Sequence, residues 1–133
     1  MGLLIIPKAN DSLRLDVDYR WVNQWTLPDP YSLIRIDNLI DAVGSAKYLT
    51  TLDCTKGYWA VPLDDDVIPL TGFVTPFGYF NFCRMPFEMR NSGCTYQRLM
   101  AEVLQDTHKF ARFYLDDTIV FSISWTEHLD ICA

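Results

Sequence analysis

Apolar and polar positions recur along this chain with periods that sort it into short strands and helices. Leu13 to Val17 (LRLDV) alternates with period two and predicts a strand, bounded upstream by Asn10-Asp11-Ser12. Leu27-Pro28-Asp29-Pro30 predicts an irregular connector, because two prolines so close exclude regular structure. Ile36, Leu39, Ile40 and Val43 fall on one helical face, with Gly44 as a C-terminal stop. Tyr48 to Leu52 predicts a strand that ends at Asp53. Tyr58 to Leu63 is expected to form a further strand or edge segment, interrupted by Pro62. Gly72 to Val74 and Tyr79 to Cys83 are β-prone around a Pro76-Phe77-Gly78 turn. The clearest helical stripe is Tyr96, Leu99, Met100, Val103 and Leu104, expected to be buried, with Asn91 or Ser92 as the cap. Phe110 to Ser122 reads as strand, tight turn and strand, with Asp116 and Asp117 at the tip. Ser124 to Cys132 begins another helix.

Composition narrows the class. The 133 residues make one domain or part of one, and an apolar fraction of 50% supplies a core. The net charge of −6 argues against a broad electrostatic grip on nucleic acid, though not against a local basic site. Cys54, Cys83, Cys94 and Cys132 show no zinc-site spacing and read as reduced thiols of an intracellular protein. No apolar run approaches the ~20 residues that cross a membrane. Met1 to Pro7 is too short for a signal peptide and has no cationic start. The sequon at Asn10-Asp11-Ser12 is therefore read as chance.

Two readings of Asp116-Asp117 stand side by side. Aspartate suits a solvated turn, because its side chain bonds nearby backbone. Two carboxylates on a rigid hairpin also suit a divalent metal. If the strand ending at Asp53 lies beside this hairpin, three carboxylates gather at one end of a sheet. Such groups repel one another unless metal is bound, and Mg²⁺ prefers oxygen ligands. That cluster would suit two-metal phosphoryl transfer. Asp64-Asp65-Asp66 lacks the ligand spacing of a calcium loop and reads as an acidic solvated turn.

Seven blocks then occur in order: Arg14-Leu15-Asp16-Val17-Asp18-Tyr19-Arg20, Leu52-Asp53-Cys54-Thr55-Lys56-Gly57-Tyr58, Phe73-Val74-Thr75-Pro76-Phe77-Gly78, Met85-Pro86-Phe87, Tyr96-Gln97-Arg98-Leu99-Met100, Tyr114-Leu115-Asp116-Asp117 and Glu127-His128-Leu129. With these, the chain resembles the reverse transcriptase domain of Gypsy-type long-terminal-repeat retrotransposon Pol polyproteins. The resemblance runs from about Lys8 to His128. It implies an α+β fold: a right-hand polymerase palm, an antiparallel sheet backed by helices, with partial fingers and without the thumb. The fingers would span about residues 1–47 and 64–85, and the palm about 48–63 and 86–133. It implies RNA-directed DNA polymerase activity, adding dNTPs to a primer on an RNA or DNA template. Two Mg²⁺ ions, or Mn²⁺ in their place, would serve as cofactors. The rest of the Pol polyprotein, thumb and RNase H, would be a partner. The setting would be the cytoplasm or a virus-like particle, with no membrane. The alternative is a catalytically inactive or domesticated remnant that acts only as a fold or binding module.

The resemblance also implies roles by position. Asp53, Asp116 and Asp117 match the catalytic, metal-holding aspartates. Tyr58 matches an aromatic beneath the incoming sugar, where a ring would clash with a 2′-hydroxyl; the same ring would also serve as plain core. Arg14 matches an arginine on the triphosphate, and its planar, permanently charged head suits phosphate. Lys8 matches a neighbouring phosphate-binding lysine or is a surface lysine. Phe87 falls in the nucleotide pocket, and Gln97 at a structural position. Trp21, Trp25, Trp59 and Trp125 are expected to pack rather than stack on bases. The chain departs from the family at Glu88, where glycine is usual, and at Gly93, where proline is usual. If the family glycine has positive φ, Glu88 carries backbone strain of about 1 kcal/mol or more.

Overall fold

The computed structural model describes residues 2–7, 13–31, 35–54 and 56–133. Lys8, the Asn10–Ser12 boundary with its sequon, and Thr55 lie outside them. The chain divides into two compact units: Met1–Asp29 with Tyr58–Ser92, and Pro30–Gly57 with Gly93–Ala133.

The first unit is built on two hairpins. β1 (Leu3–Pro7) pairs antiparallel with β2 (Leu13–Val17), from Leu3↔Val17 to Pro7↔Leu13. The run Leu3–Pro7 has no polar alternation, so periodicity alone does not mark it as a strand; its pairing with Leu13–Val17 does. The short helix α1 (Arg20–Trp25) is likewise absent from the periodic reading. It has six residues, no side-chain cap and one buried position, Val22, too little to leave a period. Val22 joins Val17 and Tyr19 in a core against which Leu3, Phe73, Phe82 and Met89 pack. Tyr19 donates its hydroxyl to the Thr71 carbonyl at 3.1 Å. Burial, aided by the Asp16 carboxylate, pushes this phenol above its ordinary pKa.

Tyr58 to Leu63 is not a strand. Gly57–Ala60 is a 3₁₀ turn, and Pro62, which has no N–H to give a ladder, makes only an isolated bridge to Arg84. The second hairpin follows the expectation, with β4 (Phe73–Thr75) and β5 (Gly78–Phe80) joined through Pro76-Phe77. Gly78, at φ +139, takes a backbone conformation that L residues rarely adopt.

Beside the core, Asp18 is chelated by Arg20. Its oxygens accept from Arg20 Nε at 2.9 and 3.0 Å, from Nη2 at 2.6 Å and from the Arg20 backbone N–H at 3.0 Å. These side-chain and then backbone hydrogen bonds lower the Asp18 pKa to about 2. A folded pKa below the unfolded one stabilises above the unfolded value of ~3.9, and that contribution is lost as pH falls toward 2. Carboxyl-detected NMR titration is expected to give an Asp18 midpoint near 2. In Arg20→Ala the midpoint is expected to return to the ordinary aspartate range; an unmoved midpoint would remove Arg20 as the cause.

The second unit holds α2 (Ile36–Val43), α3 (Ser92–Val103), α4 (Trp125–Cys132) and a three-stranded antiparallel sheet. Its strands are β3 (Tyr48–Asp53), β6 (Ala111–Tyr114) and β7 (Asp117–Ser122), in the order β3-β7-β6. α4 starts where the N-cap Ser124 Oγ accepts from the Glu127 N–H, and the Glu127 carboxylate accepts from the Ile123 N–H one residue before the cap. It then seats buried His128 on the sheet. Nε2 shares a hydrogen bond with Thr50 Oγ1 at 2.8 Å, and Nδ1 with Ser122 Oγ at 2.9 Å.

Burial follows the helical stripes only in part. On α2 only Leu39 is buried. On α3 the inward residues are Tyr96 and Gln97, while Leu99 and Val103 are exposed. Leu104 lies past the end of the helix. The four tryptophans are exposed, although Trp59 packs on Phe87 and Trp125 on Tyr48 and His128. The proposed caps of α3 are engaged elsewhere. Asn91 staples the proline connector, its Oδ1 accepting from the Asp29 N–H at 3.0 Å and its Nδ2 donating to the Leu27 carbonyl at 2.9 Å. Ser92 Oγ donates to the Pro86 carbonyl. A helical period records which residues share a face, not which neighbours cover it.

Candidate active site

Three aspartates lie at one end of the β3-β7-β6 sheet. The antiparallel register sets Asp53 directly opposite Asp117. β6 and β7 pair as far as Tyr114↔Asp117, which leaves two residues to turn the chain. The tip is therefore Leu115-Asp116, and Asp117 is the first residue of β7, a shift of one position from the expected turn. Two-residue hairpin loops need positive φ at a central residue, and Leu115 has φ +55. For a branched residue this costs about 1–3 kcal/mol. The Cys54 N–H reaches the Asp116 carbonyl at 3.4 Å and ties the chain after Asp53 to the turn.

Strand alternation fixes the face. Thr50 and Ser122 meet His128 on one side of the sheet. Asp53 and Asp117 lie an odd number of residues away along the same strands, so they project from the other side. All three carboxylates are exposed. Two like charges directly opposite in a sheet repel. The donor set is hard carboxylate oxygen throughout, the chemistry that suits a Mg²⁺-class ion. Among the described residues no three His, Cys, Asp or Glu side chains are gathered as a metal cluster, so binding would require these carboxylates to converge from the edge they share.

Motif glycine Gly57 buttresses this edge. A Cβ there would overlap the hydroxyl and ring of Tyr96. Tyr96 is buried and packs edge-on against Phe113 of β6, with ring centroids 5.4 Å apart. The helical stripe marks Tyr96 as buried, but nothing in the periodicity marks Gly57 or Leu115; their roles come from close approach and turn geometry.

The first unit carries the other described candidates, of which Tyr58 and Phe87 touch. The half-buried Tyr58 ring leans on Phe87 at 5.0 Å, and Trp59 lies 6.0 Å from the same ring. Arg14 stands on β2 opposite Ile6. Glu88 follows Phe87 at φ +69, so the strain expected of a non-glycine residue is present. Asn23 holds this turn, donating through Nδ2 to the Glu88 carbonyl and accepting at Oδ1 from the Arg90 N–H, both at 2.8 Å. Arg90 Nη1 returns to the Asn23 carbonyl at 3.1 Å. Glu88→Gly removes roughly 1–3 kcal/mol of strain and adds roughly 0.5–1 kcal/mol of unfolded-chain entropy. A net stabilisation of about 1 kcal/mol is expected in urea denaturation; a lower midpoint would show that the Glu88 side chain contributes more than its backbone costs.

The sequence model described as reverse transcriptase (RNA-dependent DNA polymerase) matches residues 6–133. The retrovirus-related Pol polyprotein from transposon 297 of Drosophila melanogaster is 38% identical over 95% of this chain. That from transposon gypsy is 36% identical over 91%. The enzymatic polyprotein of cauliflower mosaic virus (strain CM-1841) is 34% identical over 92%. The chain spans 12% of the length of each Drosophila relative and 18% of the viral one. Among solved structures, native prototype foamy virus protease-reverse transcriptase aligns over 98% of this chain and 17% of its own, with TM-score 0.84 and 27% identity. A foamy viral protease-reverse transcriptase in complex with double-stranded DNA shares the fold at TM-score 0.88 and 24% identity, over 98% of this chain and 23% of its own. Fold, register and these likenesses agree: the chain belongs to the reverse transcriptase family, among the Pol polyproteins of Gypsy-type retrotransposons.

Proposed function

We propose that this chain is the catalytic carboxylate segment of an RNA-directed DNA polymerase that extends a primer 3′-hydroxyl with dNTPs. The observation that carries the reading is the Asp53↔Asp117 cross-strand pair with Asp116 in the adjoining turn. In the reaction the primer oxygen bonds to the α-phosphorus and pyrophosphate leaves. Asp53, Asp116 and Asp117 would hold two Mg²⁺ ions, or Mn²⁺, and bound ions would supply charge neutralisation for the attacking and leaving oxygens. Arg14 and Lys8 supply positive charge for the triphosphate, while Tyr58 and Phe87 form the wall beside the sugar. The sheet of the second unit serves as palm, and the hairpins of the first as fingers.

Template, primer and the remainder of a Pol polyprotein, thumb and RNase H, complete the machine. Foamy viral protease-reverse transcriptases of the same fold, solved in complex with double-stranded DNA and with an RNA/DNA hybrid, support the template class. Kinship with retroelement Pol proteins supports a cytoplasmic or particle-bound setting. Among the described residues no helix is long and apolar enough to cross a membrane. The test is extension of a primed RNA template by this chain joined to a reverse transcriptase thumb. Extension is expected with Mg²⁺ or Mn²⁺ and none with EDTA. Extension that survives chelation, or none with either ion even in Glu88→Gly, overturns the reading.

A further inference from the structure

Gln97 is 1% exposed, and its Oε1 finds no hydrogen-bond partner. A buried, unpaired amide oxygen opposes folding, and an apolar side chain of the same length would avoid it. Its Nε2, however, reaches the Phe113 carbonyl at 3.5 Å, three residues before Asp116. The direction of that carbonyl follows from the ladder. Phe121 N–H donates to the Phe110 carbonyl at 2.8 Å, which makes 110 and 121 a hydrogen-bonded pair. Such pairs alternate along an antiparallel ladder, so Phe113↔Thr118 is a non-bonded pair. The Phe113 carbonyl therefore faces the open edge of β6, away from β7. The adjacent outward carbonyl, that of Ala111, is taken by Arg112 Nη1 at 2.9 Å. Gln97 thus closes the edge nearest the aspartate turn, and its neighbour Tyr96 abuts Gly57 on the Asp53 side.

We infer that Gln97 is a positioning residue for the carboxylate site: it anchors the Phe113 carbonyl so that the strained Leu115-Asp116 turn presents its carboxylates for divalent metal. This rests on the metal-binding role proposed above for the aspartates. A merely structural residue and a positioning residue differ in what they trade. Gln97→Leu removes the unpaired oxygen together with the anchor, so the urea midpoint is expected to hold or rise. Mn²⁺ affinity is expected to fall roughly tenfold, the size typical of lost outer-shell support.

The measurement is Mn²⁺ binding to the purified chain, read from loss of the free-ion electron paramagnetic resonance signal. Gln97→Met, unbranched and of similar length, repeats it in case the leucine branch disturbs α3. Asp116→Asn serves as the reference. If Asp116→Asn leaves Mn²⁺ affinity unchanged, the metal assignment fails, and this inference with it. If Asp116→Asn weakens binding and either folded Gln97 variant does not, the positioning role alone is overturned. Loss of fold in both Gln97 variants also overturns it, since the residue would then be structural. Weakened Mn²⁺ binding at an undiminished midpoint supports it.

Discussion

Asp116→Asn is expected to abolish metal-dependent primer extension while leaving the fold intact. The carboxamide keeps the shape of the side chain and loses the charge that would hold a divalent ion. Metal stabilisation of the transferring phosphoryl group is worth several kcal/mol, so the expected loss is about 10³-fold or more. Stability is expected to respond differently. Asp53→Asn removes the like-charge pair with Asp117 and is expected to raise stability by about 0.2–1 kcal/mol without metal, seen as a higher urea midpoint. Single-turnover extension and urea denaturation of both variants, the first with a thumb attached, check the two directions together. Extension of Asp116→Asn within tenfold of the parent would sink the carboxylate assignment. A lower midpoint for Asp53→Asn would show that Asp53 is held by contacts stronger than the repulsion.

Gly57→Ala carries the second large effect, on stability. Its new Cβ would overlap the Tyr96 hydroxyl and ring, and Tyr96 is itself wedged against Phe113. Overpacking of this kind costs roughly 1–3 kcal/mol. Because Tyr96 is buried, its ring cannot simply swing into solvent. Tyr96→Phe in the same chain removes the nearest atom but leaves ring carbons in the way, so partial rescue is expected. Thermal or urea unfolding of the single and double variants measures the coupling. An unchanged midpoint for Gly57→Ala would mean that the close approach is not a constraint in solution. The glycine is conformationally ordinary here; space, not φ, requires it.

Much of the outline was legible in the residues. Leu13–Val17, Ile36–Val43 and Tyr48–Asp53 have periods strong enough to place them before any contact is known. The hairpin ending in Asp117–Ser122 was equally clear, as was the helix from Trp125. Less was legible where a long-range partner decides. Leu3–Pro7 is a strand because Leu13–Val17 lies beside it. Tyr58–Ala60 is a turn because backbone groups close locally and Pro62 offers no donor. Gln97, polar and flanking the apolar stripe, faces inward while Leu99 does not.

The carboxylate site divides along the same line. Residue types and their order marked Asp53, Asp116 and Asp117 as candidate oxygen donors and set each at the end or turn of a strand. The resemblance also set Glu88, next to Phe87, where the family is expected to have glycine. Only the tertiary structure decided that Asp53 faces Asp117, that the tip is Leu115-Asp116, and that Glu88 and Leu115 stand at positive φ. The physical reason is register. Side chains alternate with period two, so a shift of one residue between strands would move a carboxylate to the opposite face. Local sequence sets the period of each strand; pairing between distant segments sets its phase.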